Sequence, residues 1–254
     1  MRDHRECTRK NLRKNFAFNL GLTLFLFLMV LPFSAGATIF PFNSPDGEEG
    51  DYFGFAVAVD GDYAVFGATG AGDENGGRAY VYQYDGTNWQ LIQELNPGIY
   101  DSTTNTLKPK ESNGGDLFGQ TVDISGDYII IGAPGDDTMG GDAGKAYVYK
   151  RNLFTNIWEP LTNNVLPLLN SEGAKFGSSV ALYSASSTEA YVVVGAESDS
   201  PKGSESGSVY FFYVENTAIF SNGNRLYPAG GTSDDFFGKS VSISQTTDGR
   251  FFSI

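Results

Sequence analysis

The residues best suited to chemistry in this 254-residue chain are acids in Gly-rich loops. Asp136 and Asp137 stand together, with Asp142 five residues on, and equivalent clusters occur at Asp73-Glu74 and at Glu197, Asp199 and Glu205. A hard cation such as calcium takes about six to eight oxygen ligands. Asp136, Asp137 and Asp142 are therefore the first place to seek a calcium site, although solvated loop charge is the commoner origin of such clusters. Two carboxylates facing a sugar across a fixed gap would serve glycoside hydrolysis. Nothing in the spacing singles out such a pair, so no catalytic residue is assigned, and calcium is the one cofactor considered. His4 and Cys7 are the only imidazole and thiol, both within the first ten residues. Past that point the chain has no His–Cys zinc set, disulfide or Ser-His-Asp triad.

The start of the chain reads as a leader. Arg2, Arg5, Arg9, Lys10, Arg13 and Lys14 precede an apolar run from Phe16 to Phe33, closed by Ser34-Ala35-Gly36-Ala37. A basic region, an apolar region and an A-x-A site form a secretory signal, expected to span 1–37 and to be cleaved after Ala37. An uncleaved signal anchor is the alternative, because the run approaches the ~20 residues that cross a bilayer. Either way the remainder is expected outside the cytoplasm. Without residues 1–37 there remain 11 Lys+Arg against 28 Asp+Glu, a formal charge of −17. Such a surface repels nucleic acid and anionic lipid and attracts cations or basic partners. No second apolar segment is long enough to span a membrane, so the exported part is expected not to insert into one.

The elements that must position the loops recur. A Phe-Gly pair appears at Phe53-Gly54, Phe118-Gly119, Phe176-Gly177 and Phe237-Gly238. Each is followed by an alternating apolar pair: Val57/Val59, Val122/Ile124, Val180/Leu182 and Val241/Ile243. Apolar residues at i and i+2 line one face of a strand. A second run ends on Gly-Ala at Gly67-Ala68, Gly132-Ala133 and Gly195-Ala196, and its near-continuous apolar character suits a strand buried on both faces. A third strand opens at Gly77, Gly144 and Gly207, and a fourth falls at Trp89–Leu95, at Ile157–Leu161 and, degenerate, near Ile219–Leu226. No long stretch after the leader has a 3.6-residue period. Four strands every ~60 residues predict an all-β propeller of four-stranded antiparallel blades, because one such sheet buries its two faces only between neighbours. A β-sandwich needs no such period. The predicted blades are roughly 48–112, 113–172, 173–232 and a truncated 233–254.

This series of FG, GA(P) and G-x-x-Y-V-Y anchors resembles the FG-GAP repeat of integrin α-subunit propellers and many secreted repeat proteins. The likeness is fullest in the second copy, with Phe118-Gly119, Gly132-Ala133-Pro134 and Gly144–Tyr149. It implies blades in a ring, extracellular placement, and adhesion or ligand recognition. Calcium-binding members carry a D-x-D-x-D-G-like loop between the first two strands. Here that loop is only Asp60-Gly61-Asp62, Ser125-Gly126-Asp127, Ser184–Ala190 or Asp248-Gly249, which reads better as hairpin turns.

The fourth copy stops at Ile254, where Gly-Ala is due, so a truncated ring is expected, with a further polypeptide segment completing it as an alternative. The expected function is a secreted, non-catalytic module that binds a protein or glycan ligand through loops at one end. The polar segment Tyr100–Asn113 is read as one such recognition loop or a linker. The alternatives are the propeller part of a larger secreted carbohydrate-active enzyme and a fragment with no function of its own.

Overall fold

The computed structural model describes residues 41–253 apart from 46, 73–75, 98, 102–105, 109–114, 162–171 and 246–250. The expectations for the leader, for Asp73-Glu74 and for Asp248-Gly249 lie outside the described residues. Phe42–Ile254 forms one compact unit. Among the described residues there are strands and no helices.

Strands β1 (Phe53–Asp60), β2 (Tyr63–Ala68), β3 (Arg78–Tyr84) and β4 (Trp89–Leu95) form blade 1, in that order across the sheet. A short pair follows, β5 (Ile99–Asp101) with β6 (Thr106–Lys108). Part of the segment read as a loop or linker is therefore a two-stranded ribbon. Blade 2 contains β7 (Thr121–Ser125), β8 (Tyr128–Ala133), β9 (Lys145–Asn152) and β10 (Ile157–Pro160). Blade 3 contains β11 (Phe176–Ser184), β12 (Glu189–Ala196), β13 (Ser208–Glu215) and β14 (Ala218–Leu226). The fourth repeat contributes β15 (Ile243–Gln245) paired with β16 (Phe251–Ser253). All pairings within the blades are antiparallel. The architecture is an all-β, incomplete propeller.

The second strand of each blade explains the order. Every residue of Tyr63–Ala68 and of Tyr128–Ala133 is buried, because both faces of a blade meet apolar surface. Val65, Val81 and Leu95 of blade 1 pack on Ile124, Ile131, Tyr149 and Trp158 of blade 2. Ile130, Val148 and Leu161 of blade 2 pack on Leu182, Val192 and Phe212 of blade 3. Burial of each such aliphatic side chain is worth about 1.5–3 kcal/mol, so these layers hold the stack together. The hairpin turns are tight: Gly61 and Gly126 adopt φ of 55° and 56° between strand ends paired at Asp60↔Tyr63 and Ser125↔Tyr128. That conformation is strained for residues with a Cβ.

The Phe-Gly pair is the seam between blades. Phe118 bridges Gly77, Phe176 bridges Gly144 and Phe237 bridges Gly207, in each case from one blade into the preceding one. The amide N–H groups of Phe118, Phe176 and Phe237 donate to the carbonyls of Gly76, Ala143 and Ser206 at 3.1, 3.0 and 3.1 Å. The Gly-Ala glycine of the earlier blade lies beneath this plug. A Cβ on Gly67 would fall 1.9 Å from the carbonyl oxygen of Gly119, and one on Gly132 would fall 2.1 Å from that of Gly177. Both recurring motifs are therefore halves of one joint.

Candidate functional site

The loops from the second to the third strand gather at one end of the blades, and their closure repeats. The N–H of Gly77 donates to Ala71 O, that of Gly144 to Asp136 O and that of Gly207 to Asp199 O, at 3.0, 2.9 and 2.7 Å. In blades 2 and 3 the residue closing the loop is an aspartate, and both are buried, Asp136 fully and Asp199 to 3% exposure. A buried carboxylate needs hydrogen-bond donors to offset lost hydration. Tyr147 supplies one to Asp136 Oδ2 and Tyr210 supplies one to Asp199 Oδ2, each at 2.7 Å. The other oxygen accepts from the chain itself, from Thr138 N at Asp136 and from Ser200 N at Asp199, both at 2.8 Å. Burial, with the neighbouring carboxylate, pushes both phenols well above the ordinary tyrosine range. They remain protonated donors.

Blade 3 adds a feature that the other two lack among the described residues. Arg225, opposite Tyr210 on β14, turns back to the loop end. Its Nη2 lies 2.6 Å from Asp199 Oδ2, its Nε donates to Ser208 Oγ at 3.0 Å, and the guanidinium sits 5.8 Å from the Tyr210 ring centre. In blade 1 the residue opposite Tyr80 is Glu94, of the opposite charge. Beside Arg225 opens a cleft of about 260 Å³. Glu172 and Ala174 line it from the segment before β11, Ser198, Asp199, Ser200 and Pro201 from the β12–β13 loop, and Arg225 from β14. Fixed carboxylate, guanidinium and hydroxyl groups can orient a polar ligand here through charge-assisted hydrogen bonds.

The three calcium candidates lie together in the loop between β8 and β9. Asp136 is buried and engaged with Tyr147 and Thr138, while Asp137 Oδ1 accepts from the N–H of Asp142 at 2.8 Å. Asp142 adopts a left-handed φ of 49° in the same turn. These carboxylates shape their own loop, and among the described residues no three Asp, Glu, His or Cys side chains gather in a way that could hold a metal ion. Of the third set, Asp199 enters the cleft, Glu205 accepts from Ser198 Oγ at 3.2 Å, and Glu197 lies 3.8 Å from Lys239 Nζ. The hairpin acids are also engaged: Asp60 Oδ2 accepts from Gly126 N at 2.6 Å, and Asp127 pairs with Arg151. Sequence reading missed Arg225 and Glu172. Arg225 lies in the degenerate fourth strand, where the signal was the departure from the repeat itself.

A family model described as FG-GAP repeat matches residues 42–82, 102–149 and 170–212, more than half of the chain. The chain belongs to the FG-GAP repeat family. A comparison with curated proteins found no match. The FG-GAP matches end at the third strand of each blade, so Trp89–Leu95, Ile157–Pro160 and Ala218–Leu226 lie outside them. Arg225 is thus on a part of blade 3 that the repeat motif does not specify.

Proposed function

We propose that this protein is an exported, non-catalytic recognition module that binds a protein or glycan ligand at the loop end of its blades, centred on the cleft between Glu172 and Arg225. The observation that carries the reading is the commitment of Asp136 and Asp199, the buried acids at equivalent repeat positions, to their own tyrosines. Their acidity serves rigidity. On this fixed frame, residues that depart from the repeat face the solvent at one cleft, which is how recognition is grafted onto a repeat scaffold.

The acidic surface favours a neutral glycan or a basic protein over nucleic acid. The basic, apolar and small-residue order of the first 37 residues supports export, and FG-GAP repeats are typical of extracellular proteins. Among the described residues no helix is long and apolar enough to cross a membrane.

The test is binding of the full chain to immobilised panels of glycans and of basic cell-surface proteins. Replacing the exposed Glu172 by Lys is expected to weaken the best ligand about tenfold or more, with an unchanged melting curve. Undiminished binding by E172K would remove the cleft from the reading. Release of reducing sugar from a bound glycan would overturn the non-catalytic assignment.

A further inference from the structure

The outer hairpins of blades 1 and 2 each turn over four residues, between the pairs Tyr84↔Trp89 and Asn152↔Ile157. Blade 1 fills its turn with Asp85-Gly86-Thr87-Asn88 and blade 2 with Leu153-Phe154-Thr155-Asn156. The Thr-Asn half is shared, so a turn of this length does not require the Leu-Phe half. Yet Phe154 is fully exposed and Leu153 is 62% exposed. Single apolar residues are common on surfaces, but these two are adjacent and are held outward by a built turn. Asn152 Oδ1 accepts from the N–H groups of Phe154 and Thr155 at 3.0 and 3.4 Å, and the N–H of Asn156 donates to Asn152 O at 2.8 Å. The Asn156 side chain fastens the turn to blade 1. It accepts from the phenolic O–H of Tyr63 at 2.9 Å and donates to Gln83 Oε1 at 3.1 Å. The tip is therefore a fixed apolar point, with little freedom left to lose on docking.

Its surroundings narrow the occupant. Antiparallel strand order places the β1–β2, β3–β4, β7–β8, β9–β10 and β13–β14 turns at one end, opposite to the cleft beside Arg225. Neighbouring blades touch there, through Gly126 N–H to Asp60 Oδ2 and Lys150 Nζ to Asn216 O. Asp60, Asp62, Asp85 and Glu215 are exposed at this end. Among the described residues its cations are Lys150 and Arg151, both partly buried, and Arg151 is paired with Asp127. Segments that enter an anionic bilayer surround their apolar residues with basic ones, and an acidic field opposes that. The same field complements a protein pocket with apolar walls and a basic rim. Aromatic side chains seated in such pockets carry much of the binding energy of protein interfaces.

We infer that Leu153 and Phe154 anchor an interaction surface for a second protein, one that presents an apolar pocket rimmed by lysine and arginine. This surface is separate from the cleft, so the module holds a ligand at one end and a partner at the other.

The full chain carrying Phe154→p-benzoylphenylalanine, irradiated in its host of origin, is expected to capture one protein. That protein, once purified, is expected to bind F154S about thirtyfold or more weakly than the unaltered chain. D62N/D85N is expected to weaken binding less and to reduce its salt dependence. These changes fall on exposed residues, so the melting curves are expected to match that of the unaltered chain. E172K, at the opposite end, is expected to leave this binding unchanged. Absence of a protein adduct, capture of a second copy of this chain, or undiminished binding by F154S overturns the inference. A partner indifferent to D62N/D85N has no basic rim facing the tip and overturns it as well. So does flotation with phosphatidylcholine or phosphatidylglycerol vesicles that F154S abolishes, which would assign the tip to a membrane.

Discussion

Tyr147 donates its phenolic O–H to Oδ2 of Asp136 at 2.7 Å, across a loop whose backbone the same aspartate closes through its carbonyl to Gly144 N–H. One residue thus anchors the third strand of blade 2 by main chain and by side chain. Removing only the hydroxyl, as in Y147F, leaves a buried carboxylate short of a donor. The expected cost is about 1–3 kcal/mol in urea unfolding, and a change near zero would show that the pair does not hold the loop.

Burial raises Tyr147, Tyr149 and Tyr210 above the ordinary tyrosine value. The folded chain therefore holds these protons more tightly than the unfolded chain. Stability is fully retained below about pH 10, the unfolded value, and falls as pH rises past it. Titration by phenolate absorbance is expected to show these phenols ionising only together with unfolding. Smooth ionisation of every tyrosine near pH 10 in the folded protein would contradict their burial.

Asp123 links blades 2 and 3 by accepting from Leu182 N at 2.7 Å, with Ile124 N at 2.9 Å on its other oxygen. Desolvation raises its carboxyl above the ordinary value despite these bonds, with Asp60 adding repulsion. The sign follows: its stabilising effect is fully present below the unfolded value of about 4 and is lost as pH rises through the higher folded value. D123N is expected to flatten the stability profile across that window in pH-dependent melts. An unaltered slope would mean that Asp123 does not titrate as a buried group.

The seams differ by one hydroxyl. Thr121 Oγ1 donates to Gly177 O at 2.8 Å and Ser179 Oγ to Gly238 O at 2.6 Å, whereas the corresponding residue in blade 1 is Ala56. A56S is expected to supply a donor to Gly119 O and to stabilise the chain by about 0.5–1.5 kcal/mol, and S179A to cost a similar amount. Equal stability of A56S and the unaltered chain would show that the blade 1 seam has a different local geometry.

Much of this fold was legible in the residues, because repetition supplies independent copies of each signal. The four-strand grammar, the continuous apolar second strands and even the degenerate β14 are read from spacing and alternation. Other features were not legible, since they depend on which neighbour a face meets. Val57 and Val122 look alike in sequence, yet one is exposed and the other half-buried against blade 1. The acids of the Gly-rich loops showed the same limit. Asp136, Asp137 and Asp142 have the composition of a cation loop, and only their placement reveals that the donors are Tyr147, Thr138 and the Asp142 amide. Arg225 was hidden by its position in the strand whose pattern had decayed.

Native-state hydrogen exchange at the Phe-Gly amides tests most directly that each repeat is a blade plugged into the one before it. The N–H groups of Phe118 and Phe176 should be protected to the level of the central strands Tyr63–Ala68 and Tyr128–Ala133. Exchange of these two amides at loop-like rates, while the central strands stay protected, would show that the sheets form without the joint and would contradict the account.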